Sequence, residues 1–438
     1  MSEYPYLSLL LFKTKPMKNL IHISVVGFLL FSLLFSSTAY ASSPEDPENA
    51  RKQSIETIRK GTIRLKGEPG TLVHVEQVRH EFWFGCAISS NVFSEKNRMS
   101  ESDIEMYKQK FLENFNSAVT ENAVKWGSME RTRGEIDYAT SDHILDWTEE
   151  NGLPCRGHNL YWGIDQFVQN WVKELDEEEL REAVQRRGTE TARHFKGRFV
   201  EYDLNNEMIH GNYYADKLGD GITKEMAEWV LEGDPGAKLW LNDYDILTGN
   251  QLDAFMQHIR DMLKEGIPIA GIGVQGHLHG DSFSKDKLKE SLDSLGQFGL
   301  PIRVTEFNMP GQRSKYYKDK SLKLSQEDEL QKAKNIADYY RICFAHPAVE
   351  GILMWGFWEG ANWIKTSSLY KRDWSPTPAL KAYQELIFNE WNTDLSVKLD
   401  ENGEAIVSAF YGDYKIFTDH KEAHISLDKE MGSTELNF

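Results

Sequence analysis

Between Phe82 and Ile387 short β-prone runs alternate with longer helical patterns, eight of each. An alternation sustained that far leaves few folds open. Strands separated by helices align in parallel, with helices covering the sheet, and eight such units close into a (β/α)8 TIM barrel of ~250 residues or more. The β-prone runs are 82–88, 115–120, 153–158, 199–205, 237–242, 271–275, 301–306 and 350–355. Two helix starts are marked by side chains suited to capping boxes, Asp176 with Glu179 and Ser325 with Asp328, the latter opening a helix over 325–345. The barrel is therefore expected over 82–390.

The flanks read differently. Lys18, an apolar stretch from Leu20 to Phe35 and the small-residue pattern Ala39-Tyr40-Ala41 before Ser42 read as a signal peptide over 1–41, whose true start is as well placed at Met17. The apolar run is shorter than the ~20 residues of a membrane span, so the expectation is export to the periplasm, cell surface or medium, with no membrane contact after removal of the signal. Residues 42–52, polar with two prolines, read as a linker. Thr62–Leu65 and Leu72–Val78, joined through Gly67-Glu68-Pro69-Gly70, read as an N-terminal β-hairpin within 42–81 that caps the base of the barrel. From 391 to 438 the pattern becomes strict alternation around turns such as Asp400-Glu401-Asn402-Gly403, predicting a small antiparallel β appendage.

Two glutamates stand where a barrel presents chemistry. Glu207 closes the run from Tyr202 and Glu306 closes the run from Pro301, so each carboxylate falls at the carboxyl end of a strand, the fourth and the seventh. Cleavage of a glycosidic bond needs such a pair: one carboxylic acid protonates the leaving oxygen while a carboxylate faces the anomeric carbon. Composition agrees, because 12 Trp, 18 Tyr and 22 Phe supply flat faces on which sugar rings stack. A formal charge of -18 argues against nucleic acid or an anionic membrane as partner, whereas a neutral polysaccharide is not repelled. Cys86, Cys155 and Cys343 lie in apolar contexts without CxxC spacing and read as buried thiols, not as a zinc site.

The ordered motifs resemble glycoside hydrolase family 10, whose typical activity is endo-β-1,4-xylanase. They run from Glu76-Gln77-Val78-Arg79-His80-Glu81-Phe82 and Phe84-Gly85-Cys86-Ala87-Ile88 through Glu121-Asn122-Ala123-Val124-Lys125-Trp126 and Arg156-Gly157-His158-Asn159-Leu160-Tyr161-Trp162. Asp203 to Glu207, Asn242-Asp243-Tyr244, Gln275-Gly276-His277, Thr305-Glu306-Phe307, and Trp355 with Trp363 complete the set. By this resemblance Glu207 is the acid/base, Glu306 the nucleophile of a retaining mechanism, His277 the residue that orients it, and Asn206 a partner of the sugar 2-hydroxyl. Glu121, Asn122, Lys125 and His158 resemble the wall on the glycone side, Gln275 approaches the same region, and Trp162, Trp355 and Trp363 resemble an aromatic cage. Tyr244 is expected along the cleft beside Asn242, with packing an equal alternative. The resemblance implies xylan as the polysaccharide partner and neither metal nor organic cofactor; it says nothing of oligomeric state.

Three departures from the family pattern stand out. Gly163 follows Trp162 where histidine is common, with a longer segment up to Trp171; Asn308 stands where aspartate is common, which touches the hydrogen bonds behind His277; and Glu359 replaces an aspartate or small residue. Two other readings compete with a xylanase. A β-glucanase on the same barrel would need room for the CH2OH that xylose lacks, and Trp355 with Trp363 crowd that side. A non-catalytic carbohydrate-binding barrel would usually lack one glutamate. A metal centre on His158, His277 and His279 requires broken pleating between the last two and has no aspartate cluster to join it.

Overall fold

The computed structural model describes residues 47–96 and 99–438. The expected signal peptide and the start of the linker lie outside the described residues, and no described helix is long and apolar enough to cross a membrane.

All eight β-prone runs form strands: Trp83–Ile88, Ser117–Thr120, Cys155–Gly157, Glu201–Asn206, Leu239–Asp243, Ile269–Val274, Ile302–Phe307 and Val349–Met354. They pair in parallel and in sequence order, the eighth with the first. The third also meets the fourth, through Arg156↔Glu201 and Gly157↔Tyr202, which closes the barrel. A two-residue strand, Tyr161–Trp162, lies on the far end of the fourth strand at Asn205 and Asn206. Both expected capping boxes are present, on helices Glu177–His194 and Gln326–Phe344.

The barrel interior is ionic where an apolar filling is common. Arg156 is bonded to Glu201 and to Asp203, and Arg303 reaches Glu201 at 2.8 Å, all four side chains being nearly inaccessible to water. The two guanidiniums stack on Trp240, each 5.1 Å from the ring centroid, and Arg303 lies 3.8 Å over Trp83. Strand six supplies the space: a β-carbon at Gly271 would fall 2.5 Å from the Trp240 ring and one at Gly273 3.0 Å from the Arg156 guanidinium.

The flanks correct two expectations. Residues 47–52 belong to a helix, Pro47–Ile58. Within it, Ser54 Oγ donates to Ala345 O at 2.7 Å, and just beyond it Arg59 donates to Phe344 O, His346 O and Val349 O at 2.6–2.8 Å, fixing this segment under the barrel. The two N-terminal strands exist, Lys60–Lys66 and Leu72–His80, but do not form a hairpin. The first pairs with Glu404–Phe410 and Ser433–Asn437, the second with Asp394–Lys398 and Gly412–Phe417, which in turn carries Glu422–Leu427. Two sheets therefore share a small core of Ile63, Leu65, Val73, Val75, Val407, Ile416 and their neighbours. N- and C-terminal flanks fold as one sandwich at the base of the barrel.

Because a buried charge left without its partner costs about 3–5 kcal/mol, Arg156→Met should lower stability by that amount in urea titration. Lys289→Ala breaks only an exposed helix pair with Asp293 and should cost about 0.5 kcal/mol or less. Equal effects would show that the interior network carries no special share of the stability.

Candidate active site

Alternation along a strand sends every second side chain inward, and both glutamate-bearing strands break that rule just before the carboxylate. On the fourth strand, Asp203 faces the interior, and the pairing with strand five slips between Asp203 and Asn206. On the seventh, the pairing with strand eight slips between Val304 and Phe307. Such irregularities re-aim side chains. As a result Asn206 and the consecutive pair Thr305 and Glu306 all converge on one side chain, Asn242. Its Nδ2 donates to Asn206 Oδ1 and to Glu306 Oε1, each at 3.0 Å, and its Oδ1 accepts from Thr305 Oγ1 at 2.6 Å. Asn242 is thus no mere packing residue. With its oxygen engaged, Asn206 keeps its amide N–H groups as donors for other partners.

Glu306 is buried and held by cations. His277 Nε2 lies 3.1 Å from Oε2, and His158 Nδ1, bonded to Asp203 at 2.8 Å, is 3.9 Å from Oε1. Burial opposes its ionisation, but the imidazoles of His158 and His277, with Lys125, outweigh burial and hold the carboxyl down at about 2. The amide of Asn308 is oriented by its surroundings, Nδ2 donating to Trp355 O at 3.3 Å and Ser367 Oγ at 3.1 Å, while Oδ1 accepts from Trp363 Nε1 at 3.3 Å. That oxygen therefore meets a protonated His277 Nδ1, at 2.8 Å.

Glu207 meets neutral donors instead. Gln275 Nε2 donates to Oε1 at 2.7 Å and Trp162 Nε1 to Oε2 at 2.9 Å. Burial raises its pKa, Gln275 works against the rise, and the negative charge of Glu306 adds to it. Its backbone is left-handed, φ 62°, a conformation that costs a residue with a β-carbon roughly 1–2 kcal/mol. A backbone bond to Asn242 O at 2.9 Å holds it there.

The cleft between these carboxyls has a volume of about 380 Å³ and brings together every residue singled out in the sequence: Glu207, Glu306, His277, Asn206, Glu121, Asn122, Lys125, His158, Trp162, Tyr244, Gln275, Trp355 and Trp363. Lys125 donates to Asn122 Oδ1 at 2.9 Å and lies 4.8 Å over the Trp162 ring. Burial pushes Glu121 up to about 7, against the pull of Lys125 and Asn122. Tyr244 is stacked on His210 at 3.6 Å, and His210 bonds Asp243 at 2.6 Å. His279 turns away from His277 to pair with Asp245.

Four further lining residues escape the sequence reading: Gln166, Phe167, Gln312 and Arg313. Phe167 lies in the longer segment after Gly163 and stacks on Trp162 at 3.8 Å, so the departure there adds an aromatic surface. Three further tryptophans, Trp171, Trp358 and Trp374, support the frame. Trp171 packs edge-on against Trp126, and Trp358 stacks on Trp374 at 4.3 Å.

A barrel that drives the pKa of one carboxyl up and of another down across a tryptophan-lined cleft has the make-up of the glycoside hydrolases. The chain belongs to glycosyl hydrolase family 10, whose model matches residues 75–386. It is 34% identical to the anti-sigma-I factor RsgI6 of Acetivibrio thermocellus over 83% of this chain and 45% of that protein. To endo-1,4-beta-xylanase 1 of Arabidopsis thaliana it is 33% identical over 83% of this chain and 37% of that one. The chain thus spans less than half the length of these curated relatives. Among solved structures, native xylanase 10B from Thermotoga maritima superposes with a TM-score of 0.61 at 25% identity, covering 71% of this chain and 96% of that one.

A hydrogen bond to a charged group is worth about 1.5–3 kcal/mol, so Asn242→Ala should raise the proton affinity of Glu306 about tenfold or more. Titration of the labelled glutamate carboxyls by NMR reads this directly. No change would mean that the imidazoles and Lys125 set it alone.

Proposed function

We propose that the chain is a retaining endo-β-1,4-xylanase, exported from the cell, that hydrolyses xylan through a covalent glycosyl-enzyme intermediate. The observation that carries this reading is that two facing carboxyls are surrounded so as to shift their pKa values in opposite directions, Glu207 up and Glu306 down. An acid catalyst has to arrive protonated and a nucleophile ionised.

In the first step Glu306 attacks the anomeric carbon while Glu207 gives its proton to the departing glycosidic oxygen. In the second, Glu207, now a carboxylate, takes a proton from water, whose oxygen attacks the same carbon and frees Glu306. Asn206, which lines the cleft with its oxygen engaged by Asn242, serves as donor to the sugar 2-hydroxyl. His277 holds the Glu306 carboxylate in place. Trp355 and Trp363, both packed against His277 in the cleft, crowd the side where a hexose would carry its CH2OH, which favours xylan over a β-glucan. Survival of both glutamates weighs against a barrel that binds sugar without cleaving it, and the name of the plant relative points the same way.

Loss of activity at low pH should follow protonation of Glu306, placing the acid limb of kcat/KM near pH 2, well below the usual carboxylate range. The alkaline limb should follow loss of the Glu207 proton, above the ordinary value of 4.5. Glu207→Gln should stop hydrolysis of xylan, retain release of good aryl leaving groups in the first step, and erase the alkaline limb. An alkaline limb that survives in this variant would remove the acid role from Glu207.

Proton NMR of the first products from unsubstituted xylan, with β-glucan in parallel, decides stereochemistry and polymer. β-Anomeric xylo-oligosaccharides are expected. α-Anomers would remove the nucleophile role from Glu306, and cleavage of glucan alone would overturn the substrate.

A further inference from the structure

Behind Trp363, on the side away from the carboxyl pair, the loops after the seventh and eighth barrel strands enclose a second pocket of about 300 Å³. Its charge is at odds with the rest of the molecule. The chain carries 68 acidic residues against 50 Lys and Arg, yet this pocket is lined by five lysines and only two glutamates. Both glutamates are occupied. Glu329 pairs with Lys332 at 3.2 Å, and Glu359 accepts the backbone N–H of Arg372 at 2.9 Å.

Lys332 forms a fixed floor. It is 4% exposed and donates to Thr366 O and Ser368 O at 3.0 and 2.9 Å. The other four, Lys320, Lys323, Lys365 and Lys371, are exposed, and among the described residues none has an ion pair or a side-chain hydrogen bond. Nearby, by contrast, Lys285 and Lys334 both pair with Asp338. Four like charges around one concavity repel each other unless an anion joins them. The walls also offer ring surface: Tyr317 stands edge-on to Trp363 at 5.4 Å, and Trp363 is shared with the cleft.

We propose that this pocket is a second carbohydrate site that takes a carboxylate-bearing sugar, a uronic acid branch of the polysaccharide whose backbone lies in the cleft. Lysines supply the counter-charge to the carboxylate, the aromatic wall supplies a face for the ring, and contiguity through Trp363 lets one glycan reach both. The pocket has the size of a small ligand site. The choice of polysaccharide rests on the proposed function, whereas the preference for an acidic over a neutral sugar rests on the lysines alone.

The test is calorimetric titration of the full chain, on a Glu207→Gln background to stop turnover, with xylotriose bearing a glucuronic acid branch and with plain xylotriose. The acidic probe should bind at least about tenfold more tightly at low ionic strength, and the preference should vanish at high salt, since exposed charges are screened. Replacing Lys320, Lys323, Lys365 and Lys371 together by Gln should abolish the preference while hydrolysis of unsubstituted xylan, read in the otherwise native chain, stays as it was. Equal binding of the two probes, a preference that persists in the fourfold variant, or displacement of the acidic probe by inorganic phosphate at equal affinity would each overturn the proposal. Failure to hydrolyse any xylan would instead count against the proposed activity and leave the binding comparison standing.

Discussion

The pairing of Arg156 and Arg303 with Glu201 and Asp203 inside the barrel is the interaction on which the rest depends. Ions removed from water are tolerated only when their partners are placed well, so strands three, four and seven are held in one relative position by charge as well as by the backbone ladder. The network does not stop at the four ions. Asp203 also bonds His158, His158 stands beside Glu306, and Glu306 meets His277, which donates to Asn308. A continuous polar column thus runs from the middle of the barrel to its mouth. The carboxyl ends of the strands present groups whose orientation is set from beneath.

That column also explains why two buried glutamates have their pKa values shifted in opposite directions. Burial alone raises the pKa of any carboxyl, and it does so at both positions. What differs is the charge of the donors. Glu306 lies among imidazoles and Lys125, whose positive charge favours the anion. Glu207 receives its bonds from an amide and an indole, which orient it without compensating a full charge, and it also feels the anion opposite. The division of labour therefore lies in the surrounding residues, His158 and His277 on one side, Gln275 and Trp162 on the other, more than in the glutamates themselves.

Local pattern revealed what is local. Every barrel strand could be read from apolar runs between helical stretches, and both capping boxes from two side chains three residues apart. Pairing is different, because the residues that contact Thr62 lie more than 300 positions away. Short polar connections such as Gly67-Glu68-Pro69-Gly70 look alike whether they turn a hairpin or carry the chain between sheets. The strand Ser433–Asn437 has a mostly polar sequence and is held by its pairing with Lys60–Lys66, and the first helix buries little beyond Ile55, so neither shows strong periodicity. The cleft residues named by motif are all found in it, while Phe167 and Arg313 sit on loops with no periodic signal. Asn242 was ambiguous for a specific reason. Its role arises from slips in strand pairing that bring Asn206, Thr305 and Glu306 to one point, and such slips leave no mark on a single sequence.

The departure at position 308 illustrates how far the surroundings constrain one side chain. Asn308 accepts from His277 and Trp363 through its oxygen and donates to Trp355 O and Ser367 Oγ through its nitrogen. A carboxylate could accept the first two bonds but could not donate the second two, and it would face the Trp355 carbonyl with like partial charge. The amide therefore fits this loop where the acid would not. Its neutrality has a further effect: it places no second anion behind the imidazole that bonds Glu306. The same amide ties Trp355 and Trp363 to the residue that holds Glu306, so this part of the sugar-stacking surface and the Glu306 carboxylate are positioned by one hydrogen-bonded unit.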